Sequence, residues 1–569
     1  MENREIAKLL SETAKLMELH DANEFKIRSY QNASFSIGKT EIPLTTLSLE
    51  ALSEVKGIGK SLSQKIFDLI HSGVLHDYDK YLSETPPGVV EMMRVKGIGP
   101  KKVALLWKQL GLESTGELLY ACNENRLIEL KGFGSKTQDQ IKSAIEYSIS
   151  NKGFFHYAAL EPLALELLKQ IINLPLVLNA SLTGAIRRKC EVVTLIEVLV
   201  ATLDKKEAIQ NILKCHLLSD FVLKNDENGD QFINEQGVKI KFYFCSNEQF
   251  AHELLLTTGN DIHLNKLKEN ANFKQINETA FESEMAFYAS LGMQFIEPEL
   301  REGYDEIEKA QNNALPDLIN FSDLKGALHN HSTYSDGINT LREMAVACKE
   351  LGYEYLGICD HSKSAFYANG LSEDRIKQQF AEINLLNTEL APFTIFKGIE
   401  SDILNDGSLD YANDFLKEFD FIVASVHSVL KMSEEKATAR LIKAIENPYT
   451  SILGHPTGRL LLARKGYPID HKKVIDACAQ NNVVIELNAH PYRLDLDWRW
   501  IRFAIEKNVK ISINPDAHKK EGYHDMYFGV CVARKGMLTK SMTFNTLNRN
   551  EIAAWFKEKK STADKLAFL

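Results

Sequence analysis

Between residues 329 and 518 the sequence sets metal-binding residue types at the ends of short apolar runs: GALHNH, YLGICDH, TIFKGIE, FIVASVH, SILGHP, VVIELN and KISINPDAH. The candidate ligands are His329, His331, Asp336, His361, Glu400, His427, His455, Asp516 and His518. His329/His331 and Asp516/His518 have the i, i+2 spacing that puts both members of a pair on one face of a strand. A single histidine at a strand end is usually a satisfied polar residue. Nine suitable residues at recurrent spacing point instead to a multinuclear divalent-metal site, and the His/carboxylate mixture suits zinc, manganese or iron. Cations held there would lower the pKa of bound water and supply hydroxide near neutral pH, so hydrolysis needs no Ser or Cys nucleophile. Asp360 and Glu486 stand at similar run ends, as partners that orient ligands. Arg459, in GHPTGR just after a ligand, reads as a phosphate clamp or as a structural ion pair. His471, His490 and His524 lie off the pattern and read as surface or rim residues.

The elements that position these residues follow from the rhythm of the sequence. Apolar runs recur every few tens of residues and alternate with helix-like stretches such as SEDRIKQQFAEINLLNTEL. Strands alternating with helices, with polar residues at the strand C-termini, describe a (β/α) barrel with its site on that face. Seven runs predict a seven-stranded barrel.

Two further stretches carry chemistry. SEVKGIGKSLSQKI, MRVKGIGPKKVALL and IELKGFGSKTQDQI repeat one pattern: an apolar helix end, Gly-x-Gly, then a polar or proline helix start. Gly57, Gly59, Gly97, Gly99, Gly132 and Gly134 permit tight turns that expose backbone N–H groups at a helix N-terminus, a seat for a phosphate oxygen. Such contacts are independent of base sequence. Lys65, beyond the first turn, is placed to form a Schiff base with an abasic sugar, the alternative being a solvated helix lysine. The second stretch, GAIRRKCEVVTLIEVLV from Gly184, has the layout of a nucleotidyltransferase strand, which needs an Asp-x-Asp pair for two-metal chemistry. Leu195 and Glu197 stand there instead, and Lys241, on VKIKFYF, stands where a third acid belongs. Ala185 replaces a hydroxyl expected after Gly184. An ion pair between Lys241 and Glu197 is expected to replace the metals.

Composition fits this division. The chain has 569 residues, 44% hydrophobic and 25% charged, with net charge −10. Residues 151–320 hold 16 Lys+Arg against 25 Asp+Glu, so the middle is the segment least suited to grip a nucleic-acid backbone. Eight scattered cysteines without a CxxC read as reduced, and neither a secretory signal nor a membrane span is expected, which gives a cytoplasmic reading.

Residues 1–310 resemble a bacterial family X DNA polymerase. EFKIRSYQNA and the first hairpins match its lyase-like domain, and Lys65 matches its Schiff-base lysine. GAIRRKCE matches its palm through Gly184, Arg187, Arg188 and Glu191, and LLLTTGNDIHL and IEPELREGYDEIE follow as a thumb. Residues 324–569 resemble the polymerase-and-histidinol-phosphatase (PHP) domain, which bacterial members of that family carry as a C-terminal fusion. The resemblance implies three metals: His329, His331, Glu400 and Asp516 on the first; Glu400, His427 and His455 on the second, with Glu400 bridging; Asp336, His361 and His518 on the third. Glu400 and His427 are then catalytic, with Arg459 and Lys65 as further candidates. The predicted division is a lyase-like helical domain (1–85), fingers-like hairpins (86–150), a degenerate α/β palm (151–250), a thumb (251–312), a linker (313–323) and a (β/α)7 PHP barrel (324–569). The function so implied is a DNA-end-processing phosphoesterase, acting as a 3′–5′ exonuclease or on abasic sites at gaps, nicks or 3′ ends. The alternatives are a phosphatase of a small phosphomonoester and a still-active gap-filling polymerase.

Overall fold

The computed structural model describes the chain except for residues 39, 41, 129, 151–152, 227–228, 271, 274–279 and 568–569. It divides into two compact units, Met1–Glu146 and Tyr147–Leu569.

The first unit is helical. Its opening helix, Asn3–Leu19, buries Ile6, Leu10, Ala14 and Met17, one stripe at helical spacing, against Ile37, Leu52, Ile66 and Leu69. The three hairpins are built alike. Gly57, Gly97 and Gly132 sit at φ +92°, +98° and +89°, where a Cβ is strained. The middle residue of each Gly-x-Gly (Ile58, Ile98, Phe133) is buried and donates its N–H to the carbonyl three residues back. Gly59 and Gly99 cap the helices Lys60–Ser72 and Pro100–Leu110, and Gly134 directly precedes the helix Ser135–Ser150. First-turn N–H groups have no intrahelical partner, so each hairpin presents donors beside its turn, and of the six glycines only Gly57 has a side chain, Ser36, over it.

The second unit contains two sheets that position chemistry. The smaller comprises β1 (Val177–Thr183), β2 (Ile196–Thr202), β3 (Phe221–Asp226), β4 (Gly229–Asn234) and β5 (Lys239–Cys245), in the order β1-β2-β5-β4-β3. β2 and β5 run parallel, with Glu197 directly opposite Lys241. The larger sheet has seven parallel strands in sequence order: β6 (Gly326–Ala327), β7 (Tyr355–Ile358), β8 (Thr394–Asp402), β9 (Phe421–Ser425), β10 (Ile452–Leu453), β11 (Val484–Asn488) and β12 (Ile511–Asn514). Every residue of β7, β9, β11 and β12 is buried, as expected for strands covered on both faces.

The barrel is nearly closed. At its C-terminal end a bridge joins Asn330 to Ala517, and His331 donates its N–H to the Ala517 carbonyl. Farther down the seam, Asn545 donates its side-chain amide to the carbonyls of Gly326 (2.9 Å) and Ile513 (2.7 Å). The last helix, Arg549–Ala567, plugs the interior by stacking Phe556 on Phe421 at 4.9 Å. Gly357 and Gly398 make room for that Phe421 ring: a Cβ at either would come within 2.5 Å of its tip.

Candidate metal centre

The predicted ligands converge where the barrel strands end. Glu400, buried on β8, is the hub. Its Oε1 lies 3.3 Å from His329 Nε2, 3.1 Å from His427 Nε2 and 3.0 Å from His455 Nε2, and its Oε2 lies 3.0 Å from His361 Nδ1. His331 Nε2 is 3.0 Å from Asp516 Oδ1 and 3.7 Å from Glu400 Oε2. Asp336 Oδ2 is 3.4 Å from both His361 Nε2 and His518 Nε2. Donor atoms on a tetrahedral cation with bonds of about 2.0–2.1 Å lie roughly 3.4 Å apart, so these separations would let the atoms share cations.

Three groups have donor atoms close enough to hold a cation: His331, Asp336, His361 and His518; His329, His331 and Asp516; and His361, Glu400 and His427. They differ from the implied partition at four residues: His331 and His361 each enter a second group, Glu400 is absent from the His329 group, and His455 is absent from the His427 group. His331 reaches two groups, because its ring lies between those of His361 and His518 at 4.6 and 4.2 Å. His361 reaches Glu400 through one nitrogen and Asp336 through the other.

A fit to cations is also visible in the unmade hydrogen bonds. His329 Nε2, His331 Nδ1 and both nitrogens of His361 are buried without a hydrogen-bond partner. Buried polar atoms are normally satisfied, so a ring of unsatisfied donors around carboxylates is an arrangement that divalent ions complete. Electrostatics agree. Burial opposes charge on Glu400, but His427, His329 and His361 outweigh it and hold the carboxyl well below its usual range. Asp516 and Asp336 are held down in the same way, against burial, by neighbouring histidines. His331 is pulled down to about 3 by burial and by His518 and His361, so it is a neutral imidazole, the form that binds a metal.

Outer partners fix the rings. His329 donates Nδ1–H to Glu486 Oε2 at 2.7 Å, and Asn514 donates to the same oxygen. His427 donates Nδ1–H to Asp402 at 2.5 Å, which turns its Nε2 toward Glu400. Asn488 donates to Asp516 Oδ2. Glu486 thus orients a ligand as expected, whereas Asp360 holds a loop: it accepts from the backbone and hydroxyls of Ser332 and Ser335 and from Gln379. Asp402 and Asn488 were not foreseen. The i, i+2 rule that paired the histidines would have found both, since they lie two residues beyond Glu400 and Glu486. Asp516 takes φ +52°, backbone strain located at the site.

Arg459 is redirected by the structure. Its Nε donates to the Arg493 carbonyl, one Nη to Asp497 and the other to the Leu494 carbonyl. With the guanidinium committed to that loop, the phosphate-clamp expectation gives way to the structural ion pair.

In the smaller sheet the residues at the expected polymerase positions are engaged with neighbouring side chains. No ion pair joins Lys241 to Glu197 among the described residues; Glu197 instead accepts from Tyr243 O–H at 2.8 Å, and the Lys241 ammonium lies 4.7 Å from the Tyr243 ring centre. The expected salt bridge fails because Tyr243, two residues along β5, reaches Glu197 from the same face. The other Glu197 oxygen covers Gly184, where it would lie 1.6 Å from an added Cβ. Arg187 pairs both nitrogens with Glu284, which also accepts from the buried Arg301. Arg188 pairs with Glu302, which also receives Lys535 from the barrel side of the unit. Leu195 directly precedes β2 and offers no ligand atom, and among the described residues no metal-binding group forms in this sheet.

In the first unit, Lys65 lines a cleft of about 220 Å³ with Lys26, Ser29, Tyr30, Asn32, Gly57, Gly59, Ser61 and Leu62. Its ammonium pairs with Asp77, which also accepts from Tyr30 and Lys26. Burial opposes the Asp77 charge, and these donors outweigh it and lower its pKa. Schiff-base formation requires the Lys65 nitrogen to leave that pair without its proton.

Three families match parts of the chain: a helix-hairpin-helix domain over residues 1–75, a SAM-like helix-hairpin-helix tandem over 89–146, and the PHP domain over 327–490. The chain is 34% identical to the DNA polymerase/3′-5′ exonuclease PolX of Bacillus subtilis (strain 168), over 98% of this chain and 100% of that one. A probable phosphatase of Thermoanaerobacter sp. (strain X514) is 29% identical over 41% of this chain and 94% of its own. A probable phosphatase of Acetivibrio thermocellus is 29% identical over 33% and 78%.

Proposed function

Because the chain belongs to the bacterial family X DNA polymerases that carry a PHP domain, we propose that it is a DNA-repair phosphoesterase whose barrel trims 3′ ends or abasic sites while its palm adds no nucleotides. The observation that carries this reading is the Glu400 hub, four imidazole nitrogens within 3.3 Å of one buried carboxylate. Divalent cations bound there supply activated water and draw charge from the phosphoryl oxygens. The protein's own residues do the rest. Glu486 and Asp402 hold His329 and His427 in one tautomer, and the depressed carboxylates keep negative charge facing the cations. The hairpins bring backbone N–H groups to DNA phosphates. Lys65, in its basic cleft, is a candidate lyase nucleophile; borohydride trapping on abasic DNA yields a covalent adduct that Lys65→Ala loses, and an adduct that survives the substitution rejects this role.

Silence of the palm is supported by Glu197 over Gly184 and by two arginines already bound to carboxylates. A test combines a 5′-labelled gapped duplex, manganese, and presence or absence of nucleoside triphosphates, for wild type, His329→Ala and Glu197→Ala. The expected result is a primer that only shortens, with His329→Ala alone preventing it. Lengthening that Glu197→Ala abolishes refutes the silent palm. The barrel's likeness to probable phosphatases favours the second reading, hydrolysis of a small phosphomonoester, which takes first place if DNA is left intact.

A further inference from the structure

The metal centre opens only narrowly to solvent, at Asp336 and His427, whose side chains keep 8% and 6% exposure against 5% or less for the other seven candidate ligands. The loop after His361 lies beside that opening: the Tyr367 ring centre is 6.2 Å from that of His361 and 6.5 Å from that of His427. The loop is braced rather than loose. Ser362 bridges to Leu371, and Ser364 bonds Asp410 through its N–H and Asp402 through its hydroxyl. At its tip Phe366 is 86% exposed, more than any other large apolar side chain among the described residues. The loop after His427 carries Val429 at 50% exposure. Exposed lysines follow several of the ligands in the chain. Lys363, Lys431, Lys465, Lys519 and Lys520 are all exposed on the segments that follow His361, His427, His455 and His518, with Lys363 in an exposed pair with Glu373.

An exposed aromatic ring on a braced loop, within a rim of cations, is how sequence-independent sites hold a single strand: bases stack on the ring and phosphates follow the positive charge. We propose that Phe366 is the stacking platform for a nucleobase of the strand being hydrolysed, the residue that makes the centre prefer a polynucleotide end to a small phosphate ester. The occupant is a single-stranded or frayed 3′ end, because an aromatic face reads an unstacked base and a duplex offers none except at its terminus. This inference rests on the phosphodiesterase reading and adds the determinant of substrate class.

The test compares kcat/KM of the full chain, loaded with manganese, on a single-stranded oligonucleotide and on methyl p-nitrophenyl phosphate, a diester without a base. Phe366→Ala lowers the oligonucleotide-to-small-diester ratio by about 5- to 150-fold, the range of one base–aromatic stack, and Phe366→Trp restores it. A ratio within twofold of wild type overturns the proposal, as does an equal fall on both substrates or a Trp variant no better than Ala. If wild type cleaves neither substrate, the phosphodiesterase reading itself has failed, a result distinct from an unchanged ratio.

Discussion

Asp402→Asn isolates what an outer partner does for this centre. Asp402 touches the site only through His427 Nδ1 at 2.5 Å, and its second oxygen accepts from Ser364. Asparagine keeps the shape and an acceptor for His427, and the Ser364 hydroxyl can turn from donor to acceptor, so no buried group is left unpaired. What is lost is charge. A hydrogen bond to a charged group contributes about 1.5–3 kcal/mol and a neutral one about 0.5–1.5, so the substitution removes roughly 1.5 kcal/mol of support for the ring. At about 1.4 kcal/mol per decade that is a tenfold weakening of metal affinity, at the low end of the 10–100-fold range for such partners. The assay is manganese titration by calorimetry, with phosphodiester hydrolysis against metal concentration as a second readout. The expected result is one weakened binding step with the melting temperature little changed. If every manganese affinity stays within twofold of wild type, the orientation of His427 does not matter to the ions and the Glu400–His427 group is not a metal site.

The remaining predictions concern the frame. His156 is buried, bonded to the Leu461 carbonyl and stacked on Tyr492, and burial pulls its pKa down to about 4 despite that carbonyl. Since its unfolded value lies near 6.5, the unfolded chain binds the extra proton; stability is full above pH 6.5 and falls by up to about 3 kcal/mol toward pH 4. His156→Gln should flatten that limb in melts run across the range, and an unchanged slope rejects it as the cause. Glu284→Ala leaves Arg301, which is 0% exposed, without its partner and should destabilise the second unit by about 3–5 kcal/mol in denaturant titrations; a loss under 1 kcal/mol would show the pair to be dispensable. Two hairpin glycines should separate stability from binding. Gly57→Ala forces φ +92° and a Cβ 2.5 Å from Ser36 Oγ, a destabilisation of about 1–2 kcal/mol. Gly59→Ala meets no atom within 4 Å and should melt like wild type yet bind duplex DNA several-fold more weakly, and equal affinity would place the phosphate elsewhere.

The sequence alone determined whatever depends on period and on residue type. Apolar runs ending in His, Asp or Glu specified parallel strands and the end of the barrel that carries the site, because a buried strand is a short apolar run and its last residues must face the opening. Gly-x-Gly specified the hairpins, because few other residues accept φ near +90°. The same logic located Glu197 and Lys241 on neighbouring strands, and β2 and β5 pair them directly. Tertiary structure decided which atoms meet. Glu197 turned to Tyr243 and over Gly184, Arg459 turned to the 493–497 loop, and His331 came to lie between two candidate ion sites. Such choices are competitions among partners brought close by the chain from far along its length, settled by differences of an ångström that no local pattern encodes. Asp402 stands between the two cases: its place on the strand could be read from spacing, but its partner could not be known until β9 delivered His427 beside it.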